Sequence, residues 1–207
     1  AIDYTKFKPA LRLNPINPKG VFWIIPSGSR NVLATSLGLQ HQGNESFMRI
    51  KQMKRRKIDV IGVIVTDKGN PAVTHKRIVL NAAEMGVGAE IIDRSKRVRG
   101  KIKSRILSTM AGIISTVPTY ESNECDIIID GKMKITSKIT MAVVANGKFL
   151  GGGFNAAPRA DVSDGLLDVV IMKNSGSFKM FDKLVQLKRE SGYAGEEDIL
   201  YYKASQV

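Results

Sequence analysis

One stretch of the sequence carries residues suited to binding phosphate, Pro26 to Asn31 in WIIPSGSRNVLATSLGL. Gly28 allows close backbone approach, and Ser27 and Ser29 add hydroxyl groups on either side of it. The stretch leads from an apolar run into a helical pattern, and a helix N-terminus presents free N–H groups that attract phosphate. Ser29 can instead serve as the N-cap of that helix, and the local pattern alone favours the cap.

A second candidate is the triplet Gly151–Gly153, since glycine-rich loops cradle phosphates in many nucleotide-binding proteins. A strand pattern ending at Gly147 precedes the triplet, and a second turn, Pro158 to Asp161, follows it. No helix start comes after it, so a phosphate loop would lack its helix N-terminus. The triplet is therefore predicted to be a place where strands bend or another backbone comes close.

The chain has a formal net charge of +13, and much of it is clustered. Residues 48–57 carry six Lys or Arg residues and no acid, and residues 93–105 carry seven against Asp93. Such clusters attract polyanions, including nucleotide phosphates, anionic lipid surfaces and nucleic acid. The alternative for either cluster is a solvated helix face. Because no aromatic residues alternate with these charges, stacking on single-stranded nucleic acid is poorly supported.

Composition narrows the class of protein. The 207 residues are 43% hydrophobic and 25% charged, which is typical of a globular protein of one or two domains. The single cysteine, Cys125, excludes an internal disulfide and suits a reducing cytoplasm, and no apolar run has the roughly 18 residues of a membrane span. His41 and His75 are too few for most metal sites, so surface or structural roles are favoured for both.

The elements that would position these residues follow from periodicity and turn signals. Strands are predicted at 21–25, 58–65, 76–83, 125–129, 133–136, 139–147, 165–173 and 198–207, and helices at 30–39, 100–117 and 177–191. DKGNP (67–71) predicts a hairpin turn, and Asp130-Gly131 predicts another between two β-rich arms. Residues 1–57 are interpreted as the end of an α/β domain, and 58–207 as a β-rich domain with two helices.

Two segments of the sequence resemble motifs of the soluble diacylglycerol kinase and sphingosine kinase superfamily. VVANGKFLGGGFNAAPRADVSDGLLDVVIMK is similar to that family's series of Asn-Gly, Gly-Gly-Gly, Ala-Pro and Asp-Gly-Leu-Leu-Asp. Pro26, Gly28, Ser29, Asn31 and Ala34 resemble its Pro-x-Gly-Thr-x-Asn-x-x-Ala motif, with Ser29 in place of Thr. The resemblance extends from about Val21 to Val207, and the first of the two motifs is the more specific.

The resemblance implies the end of an NAD-kinase-like nucleotide-binding α/β domain (1–57) followed by a β-sandwich domain (58–207), with ATP and a lipid alcohol meeting in the cleft between them. It implies Mg²⁺-dependent transfer of the γ-phosphate to a diacylglycerol-like lipid hydroxyl, in a cytoplasmic protein associated peripherally with anionic membrane. Ser27, Gly28, Ser29 and Asn31 would line the nucleotide site, and Asp59 would be the candidate catalytic residue. A homodimer is possible, and no nucleic-acid partner is expected.

The sequence also departs from the family pattern. The family's Gly-Gly-Asp-Gly-Thr nucleotide loop is absent, so the chain is interpreted as part of a longer protein. Lys138 stands at the position of a magnesium-binding Asp of some bacterial members, so no metal ligand is predicted in this chain. The alternative function is a non-catalytic basic module of the same fold that binds anionic membrane or nucleic acid. A related kinase for a soluble alcohol or nucleotide is a third hypothesis.

Overall fold

The computed structural model describes residues 17, 19–28, 31–39, 55–67, 69–100, 102, 104–186 and 197–207. Helices in these ranges are α1 (Val32–Ser36), α2 (Val87–Arg99), α3 (Arg105–Thr116) and α4 (Ser177–Gln186), with 3₁₀ turns at Val117–Thr119 and Gly151–Gly153. The strands are β1 (Ile61–Thr66), β2 (Thr74–Val79), β3 (Ala82–Gly86), β4 (Asn123–Ile129), β5 (Met133–Ala145), β6 (Phe149–Leu150), β7 (Phe154–Asn155), β8 (Leu167–Lys173) and β9 (Ile199–Ala204).

A five-stranded antiparallel sheet is the centre of the fold, and the long strand β5 organises it. One edge of β5 pairs with β4 along its first half and with β3 along its second half, while the other edge pairs with β8, which in turn pairs with β9. A turn of three residues, Asp130, Gly131 and Lys132, joins β4 to β5. The first two have the positive φ angles, 51° and 67°, that Asp-Gly accepts, and the Lys132 backbone N donates to the Ile129 carbonyl at 3.0 Å. The predicted hairpin is confirmed.

Side chains alternate across this sheet and are buried on both faces. On β8, Val170 and Met172 join a cluster with residues of α2, α3 and α4, while Val169 and Ile171 join a second cluster with β4 and β9. All four are at most 1% exposed. The run DVVIM is therefore continuously apolar after its aspartate because both faces of the strand are covered.

Helices α2 and α3 pack closely against each other where two small residues meet, Ser95 of α2 and Gly112 of α3. A Cβ atom on Gly112 of α3 would lie 2.1 Å from the Ser95 Oγ of α2, so only glycine fits there. Arg94 of α2 also donates to the carbonyl of Ser115 at the end of α3 and pairs with Glu90. This close pair of helices covers one face of the sheet.

The structure corrects three of the sequence predictions. The run 21–25 forms no strand. Its apolar side chains are not buried as a strand of the core would be, since Phe22 is 97% exposed and Val21 is 62% exposed. In the described part of 58–207 a third helix adds to the two that were predicted, because residues 87–99 are helical. Helix α3 begins at Arg105, after the N-cap Ser104, and not at Gly100.

Other predicted elements are confirmed. Strands β1, β8 and β9 lie within or close to the predicted segments, and β1 and β2 form the expected hairpin across residues 67–73. The predicted strand 76–83 is instead divided between β2 and β3, which belong to different sheets. The segments 133–136 and 139–147, predicted as two strands, are one continuous strand, β5. No helix in the described ranges is both long and apolar enough to cross a membrane. The predicted domain boundary at 57/58 stays a prediction.

Candidate functional site

The turn that was predicted to bind nucleotide is held together by Asn31. The Asn31 side-chain Oδ1 accepts from the Gly28 backbone N at 2.7 Å, and its Nδ2 donates to the Gly28 carbonyl at 2.8 Å. Asn31 itself has a left-handed backbone, with φ of 43°, a conformation that Asn tolerates better than most residues. The amide of Asn31 is therefore used to fix the turn, which leaves Ser27 and Gly28 exposed.

Helix α1 that follows the turn is only five residues long. The dipole of such a short helix attracts phosphate only weakly, because the charges at the helix ends arise from a longer run of aligned peptides. Ser29, the predicted N-cap or phosphate ligand, lies outside the described residues. The helix begins instead after Asn31, whose carbonyl accepts the Thr35 backbone N–H at 2.8 Å.

The Asn146-Gly147 pair at the end of β5 joins three parts of the chain. Asn146, 1% exposed, donates from Nδ2 to the carbonyl oxygens of Asp59 at 2.8 Å and Leu80 at 3.0 Å. The backbone N–H groups of Asn146 and Gly147 both donate to the Asn81 carbonyl. Asn81 in turn donates from Nδ2 to the carbonyl of Phe149 at 2.7 Å. These bonds tie the segment before β1 to β3 and β6.

Gly147 also lets α1 approach this junction. A Cβ atom at Gly147 would lie 2.3 Å from Asn81 Oδ1 and 2.8 Å from Ser36 Oγ, closer than real atoms come. Within the described residues the Oδ1 atoms of Asn81 and Asn146 are buried with no hydrogen-bond partner. We call Asp59, Asn81, Asn146, Gly147 and α1 the polar junction.

Asp59, the candidate catalytic residue, lies at the polar junction and is half-buried. Its Oδ2 accepts from the Gly165 backbone N at 2.7 Å, and its own backbone N donates to the Val162 carbonyl at 2.7 Å. No hydrogen bond from the described part of the chain reaches Oδ1. Asp59 thus fixes the Asp-Gly turn before β8 with one oxygen and has a second oxygen to offer.

The other aspartates of the long motif are engaged in a charged network. Asp168, fully buried, accepts from the Tyr201 hydroxyl at 2.6 Å and from Lys203 Nζ at 3.5 Å. Lys203 also pairs with Asp164, and this hydrogen bond is the main reason that the pKa of Asp164 is lowered. Burial, followed by the bond to Asp168, raises the pKa of Tyr201. These contacts make Asp164 and Asp168 structural residues, as expected of Asp-Gly turn and strand positions.

The side chains that the structure describes do not form a magnesium site on their own. No three His, Cys, Asp or Glu side chains in the described ranges lie close enough together to hold a metal ion. Asp161 is already engaged, because Ser163 and Arg56 donate to its Oδ1, and the hydrogen bond from Ser163 is the main cause of its lowered pKa.

An apolar cavity of about 210 Å³ lies between α2, β5 and the glycine triplet. Its walls are mainly hydrocarbon, with polar atoms from a few residues, and its lining includes Ile91, Ile92, Met141, Leu150, Phe154 and Leu184. The triplet makes the turn between the paired strands β6 and β7, with φ of 81° at Gly152 and 77° at Gly153. It is therefore a strand reversal, as predicted, and its first two glycines line the cavity.

One carboxyl group, that of Glu84 on β3, lies in the wall of this cavity. Burial raises the pKa of Glu84 to about 7, against a smaller opposing effect of a hydrogen bond from the Gly88 backbone N–H. Its carboxyl occupies the space of a Gly88 side chain: a Cβ there would lie 1.5 Å from Oε1. Neither Glu84 nor Gly88 was predicted from the sequence as a site residue. The apolar residues Val87, Ile91 and Val98 do have helical spacing, which places Gly88 in the first turn of a helix.

The basic clusters are divided between structural and unpaired charges. In residues 93–105, Arg94 and Arg97 form ion pairs with acids four residues earlier on α2. Within the described part of the chain, no ion pair involves Lys96 or Arg99, and Arg99 lines the cavity. In the other cluster Arg56 pairs with Asp161, and residues 51–54 as well as 48–50 lie outside the described residues.

Similarity to known proteins agrees with this architecture. The chain is 25% identical over 160 residues to a diacylglycerol kinase of Mycobacterium tuberculosis, covering 76% of this chain and 48% of that protein. It is 22% identical over 198 residues to a diacylglycerol kinase of Bacillus subtilis, covering 94% and 60%. The chain thus spans about half the length of the curated relatives it matches.

The fold is shared with solved structures as well. A diacylglycerol kinase from Bacillus anthracis superimposes with a TM-score of 0.56 at 22% identity, covering 87% of this chain and 52% of that one. Residues 78–207 match the family model described as the YegS C-terminal NAD kinase beta sandwich-like domain. Since that match includes most of the chain, the protein belongs to the YegS C-terminal NAD kinase beta sandwich-like family, whose named relatives are lipid kinases.

Proposed function

We propose that the protein is an ATP-dependent lipid kinase, and that this chain provides its lipid-binding side. The observation that carries the proposal is the apolar cavity beside the polar junction. Asn81 of the junction directly precedes β3, and Glu84 of the cavity wall lies on that strand three residues later. Three residues of extended strand span about 10 Å between these two positions. A lipid chain in the cavity would therefore hold its polar end within a short distance of Asp59 and Asn146.

The reaction would be transfer of the γ-phosphate of ATP to a hydroxyl of a diacylglycerol-like lipid. The hydroxyl oxygen bonds to the γ-phosphorus, the bond from that phosphorus to the bridging oxygen breaks, and ADP leaves with its electron pair. The hydroxyl proton needs an acceptor, for which the second oxygen of Asp59 is our candidate. The backbone of the turn fixed by Asn31, with Ser27, Gly28 and Ser29, is the candidate nucleotide contact.

Phosphotransfer by the full-length gene product tests this proposal. We expect label from γ-³²P-ATP to enter diacylglycerol in mixed micelles, and Asp59→Asn to lower the rate by about 100-fold if Asp59 accepts the proton. Asp126→Asn is the matched control, since Asp126 lies in a cross-strand ion pair about ten residues along β5 from the junction. Absence of labelled lipid with diacylglycerol, sphingoid bases and other lipid alcohols would contradict the proposal.

An anionic membrane is the proposed partner, because one edge of α2 combines apolar and basic side chains. Ile92, Lys96 and Arg99 follow one another at helical spacing, and Ile92 is 48% exposed. Leu107 and Ile114 of α3 are 58% and 60% exposed. Exposed aliphatic side chains beside unpaired cations suit the surface of an anionic bilayer, and Arg99 places this edge next to the cavity.

Vesicle sedimentation tests the membrane surface. Binding to vesicles with 30% phosphatidylglycerol should fall with added salt. Lys96→Glu with Arg99→Glu should weaken it by about 30-fold or more, because two lost contacts cost about 1 kcal/mol each and charge reversal adds to this. The control is Lys132→Glu, an exposed lysine in the β4–β5 hairpin. Stronger binding to RNA than to these vesicles would favour the non-catalytic basic module instead.

A further inference from the structure

Glu84 provides a carboxyl group to a cavity wall that is mainly hydrocarbon, in which the other polar side chains are those of Ser95, Arg99 and Thr109. Three sides of the cavity are formed by Ile91 of α2, Met141 of β5 and Leu184 of α4, which are 7%, 1% and 4% exposed. A carboxyl group placed among such side chains loses its hydration, which costs free energy unless the group forms hydrogen bonds with a partner. Its known partner is the Gly88 backbone N–H, which satisfies only part of its hydrogen-bonding capacity.

The charged and titratable groups around Glu84 do not provide a cation bound to it. Arg99 lines the cavity from the end of α2, while Arg94 is paired with Glu90. From the segment after α3, Tyr120 has its pKa raised by burial and by the negative charges of Glu90, Cys125 and Glu84. On α4, Lys183 is 3% exposed and bonded to Ser175 and Asp198. Among the described residues, no ion pair reaches Glu84.

The cavity is large enough for a ligand with a hydrocarbon part. An engineered protein cavity of about 150 Å³ lined by aliphatic and aromatic residues binds benzene, and this one measures about 210 Å³. A segment of alkyl chain fits such a space and would remove further water from Glu84. A hydroxyl group on that chain could donate to the carboxyl oxygen that Gly88 leaves free.

We propose that Glu84 is a specificity-determining residue, whose carboxyl accepts a hydrogen bond from a hydroxyl group on the lipid chain in this cavity, a second hydroxyl besides the one presented to Asp59. The proposal rests on the proposed lipid kinase function, and it names the feature of the lipid that the cavity selects. A chain with a free hydroxyl is bound better than the same chain with that hydroxyl methylated, because the ether cannot donate. The discrimination is greatest above pH 8, where the carboxyl is ionised, and decreases towards pH 5.5, where the protonated carboxyl can donate to an ether oxygen.

The probes are 1-octanol and octyl methyl ether, whose binding to the protein is measured by calorimetry at pH 8.5 and pH 5.5 without ATP. At pH 8.5 we expect octanol to bind about tenfold or more tightly than the ether. The ratio should fall several-fold at pH 5.5. Glu84→Leu should bind both probes with a ratio near one at either pH, and Glu84→Gln should show a ratio that does not change with pH.

Gly88→Ala tests the position of the carboxyl without removing it. The added methyl group would occupy the place of the carboxyl, so Glu84 must move while its charge and the helix are kept. We expect this variant to lose most of the discrimination. Glu124→Gln, the same chemical change as Glu84→Gln at an exposed position of β4, should behave like the wild type.

Several outcomes would overturn this role for Glu84. They are equal binding of octanol and ether by the wild type at pH 8.5, full discrimination by Glu84→Leu, or no binding of either probe. A purely structural role as a partner of the α2 N-terminus would change stability but not the ratio of the two probes. Because the assay contains no ATP, discrimination in a protein that never phosphorylates lipid would sink the proposed function and leave the role of Glu84 intact.

Discussion

Carboxyl groups have opposite environments in two regions of the molecule. One region is the polar junction with its neighbouring aspartates, and the other is the apolar cavity. At the first, Asp164 and Asp168 share Lys203, and Asp168 also holds Tyr201, so buried charge is compensated. In the cavity, Glu84 has one backbone amide as its partner in a wall that is mainly hydrocarbon, and burial raises its pKa to about 7. Acids with partners fix the fold, whereas an acid without a cation is available to a ligand. The comparison can be tested by removing each kind of acid.

Asp168→Ala should have the largest effect, because it removes a fully buried acceptor and leaves the Tyr201 hydroxyl without its partner. We expect the free energy of unfolding to fall by about 3 kcal/mol. Urea denaturation followed by circular dichroism measures it. The exposed change Asp126→Asn should leave the urea midpoint nearly unchanged, and a similar loss in both variants would show that burial is not what makes Asp168 important.

The pH dependence of stability should separate the two regions. Glu84 has a pKa of about 7 in the folded protein against 4.5 unfolded, so the folded state binds the extra proton between these values. The contribution of Glu84 to the free energy of unfolding is fully present below pH 4.5 and is lost as pH rises through 7. It amounts to about 3 kcal/mol at most, at roughly 1.4 kcal/mol for each unit by which the pKa is raised. Thermal denaturation of wild type and Glu84→Gln from pH 4.5 to 8 should show curves that agree at low pH, where the protonated carboxyl resembles the amide, and that separate as pH rises and the wild type loses stability.

The paired aspartates predict the opposite sign at lower pH. Their hydrogen bonds hold the pKa values of Asp161 and Asp164 below the usual range, so their stabilisation is lost as pH falls through the folded-state values. A wild-type curve that is flat between pH 4.5 and 7 while matching Glu84→Gln would contradict the environment described for Glu84.

Gly147→Ala should disturb the polar junction by a smaller amount. The methyl group would meet Asn81 and Ser36, so α1 or Asn81 must shift, at a cost of about 2 kcal/mol. Gly151→Ala is the matched control, since nothing lies within 4 Å of a Cβ there. Equal melting temperatures for the two variants would show that α1 is not packed against Asn146-Gly147.

The Asn31 turn should show the smallest effect on stability. Asn31→Ala removes both bonds to Gly28 and places a less tolerant residue at a positive φ, for an expected loss of about 1 kcal/mol. Asn31→Gly removes the same bonds but permits the backbone angle, so the difference between the two variants isolates the conformational part. Chemical denaturation of both variants and the wild type gives these values, and a fully stable Asn31→Ala would mean that the clamp is not needed.

Local signals in the sequence were enough for elements whose partners lie nearby along the chain. Asp130-Gly131 specifies its own hairpin because both residues accept positive φ angles, and β4 and β5 flank it directly. By contrast the apolar run 21–25 needed a neighbouring strand to pair with, and the described chain gives it none. The helix 87–99 was not predicted, because the apolar period of Val87, Ile91 and Val98 is interrupted by many charged residues.

The sequence by itself determined the β-rich character of the domain, the Asp-Gly hairpin, the strong positive charge and the family motifs around Asn146. Only the tertiary structure showed that Asn31 is used to fix its own turn and that Asp59 bonds to Gly165, 106 positions away. It also placed Glu84 against Gly88 in an apolar cavity. The physical reason is that hairpins and helices depend on neighbours along the chain. The state of a carboxyl group depends instead on which distant side chains surround it, and no short stretch of sequence contains them.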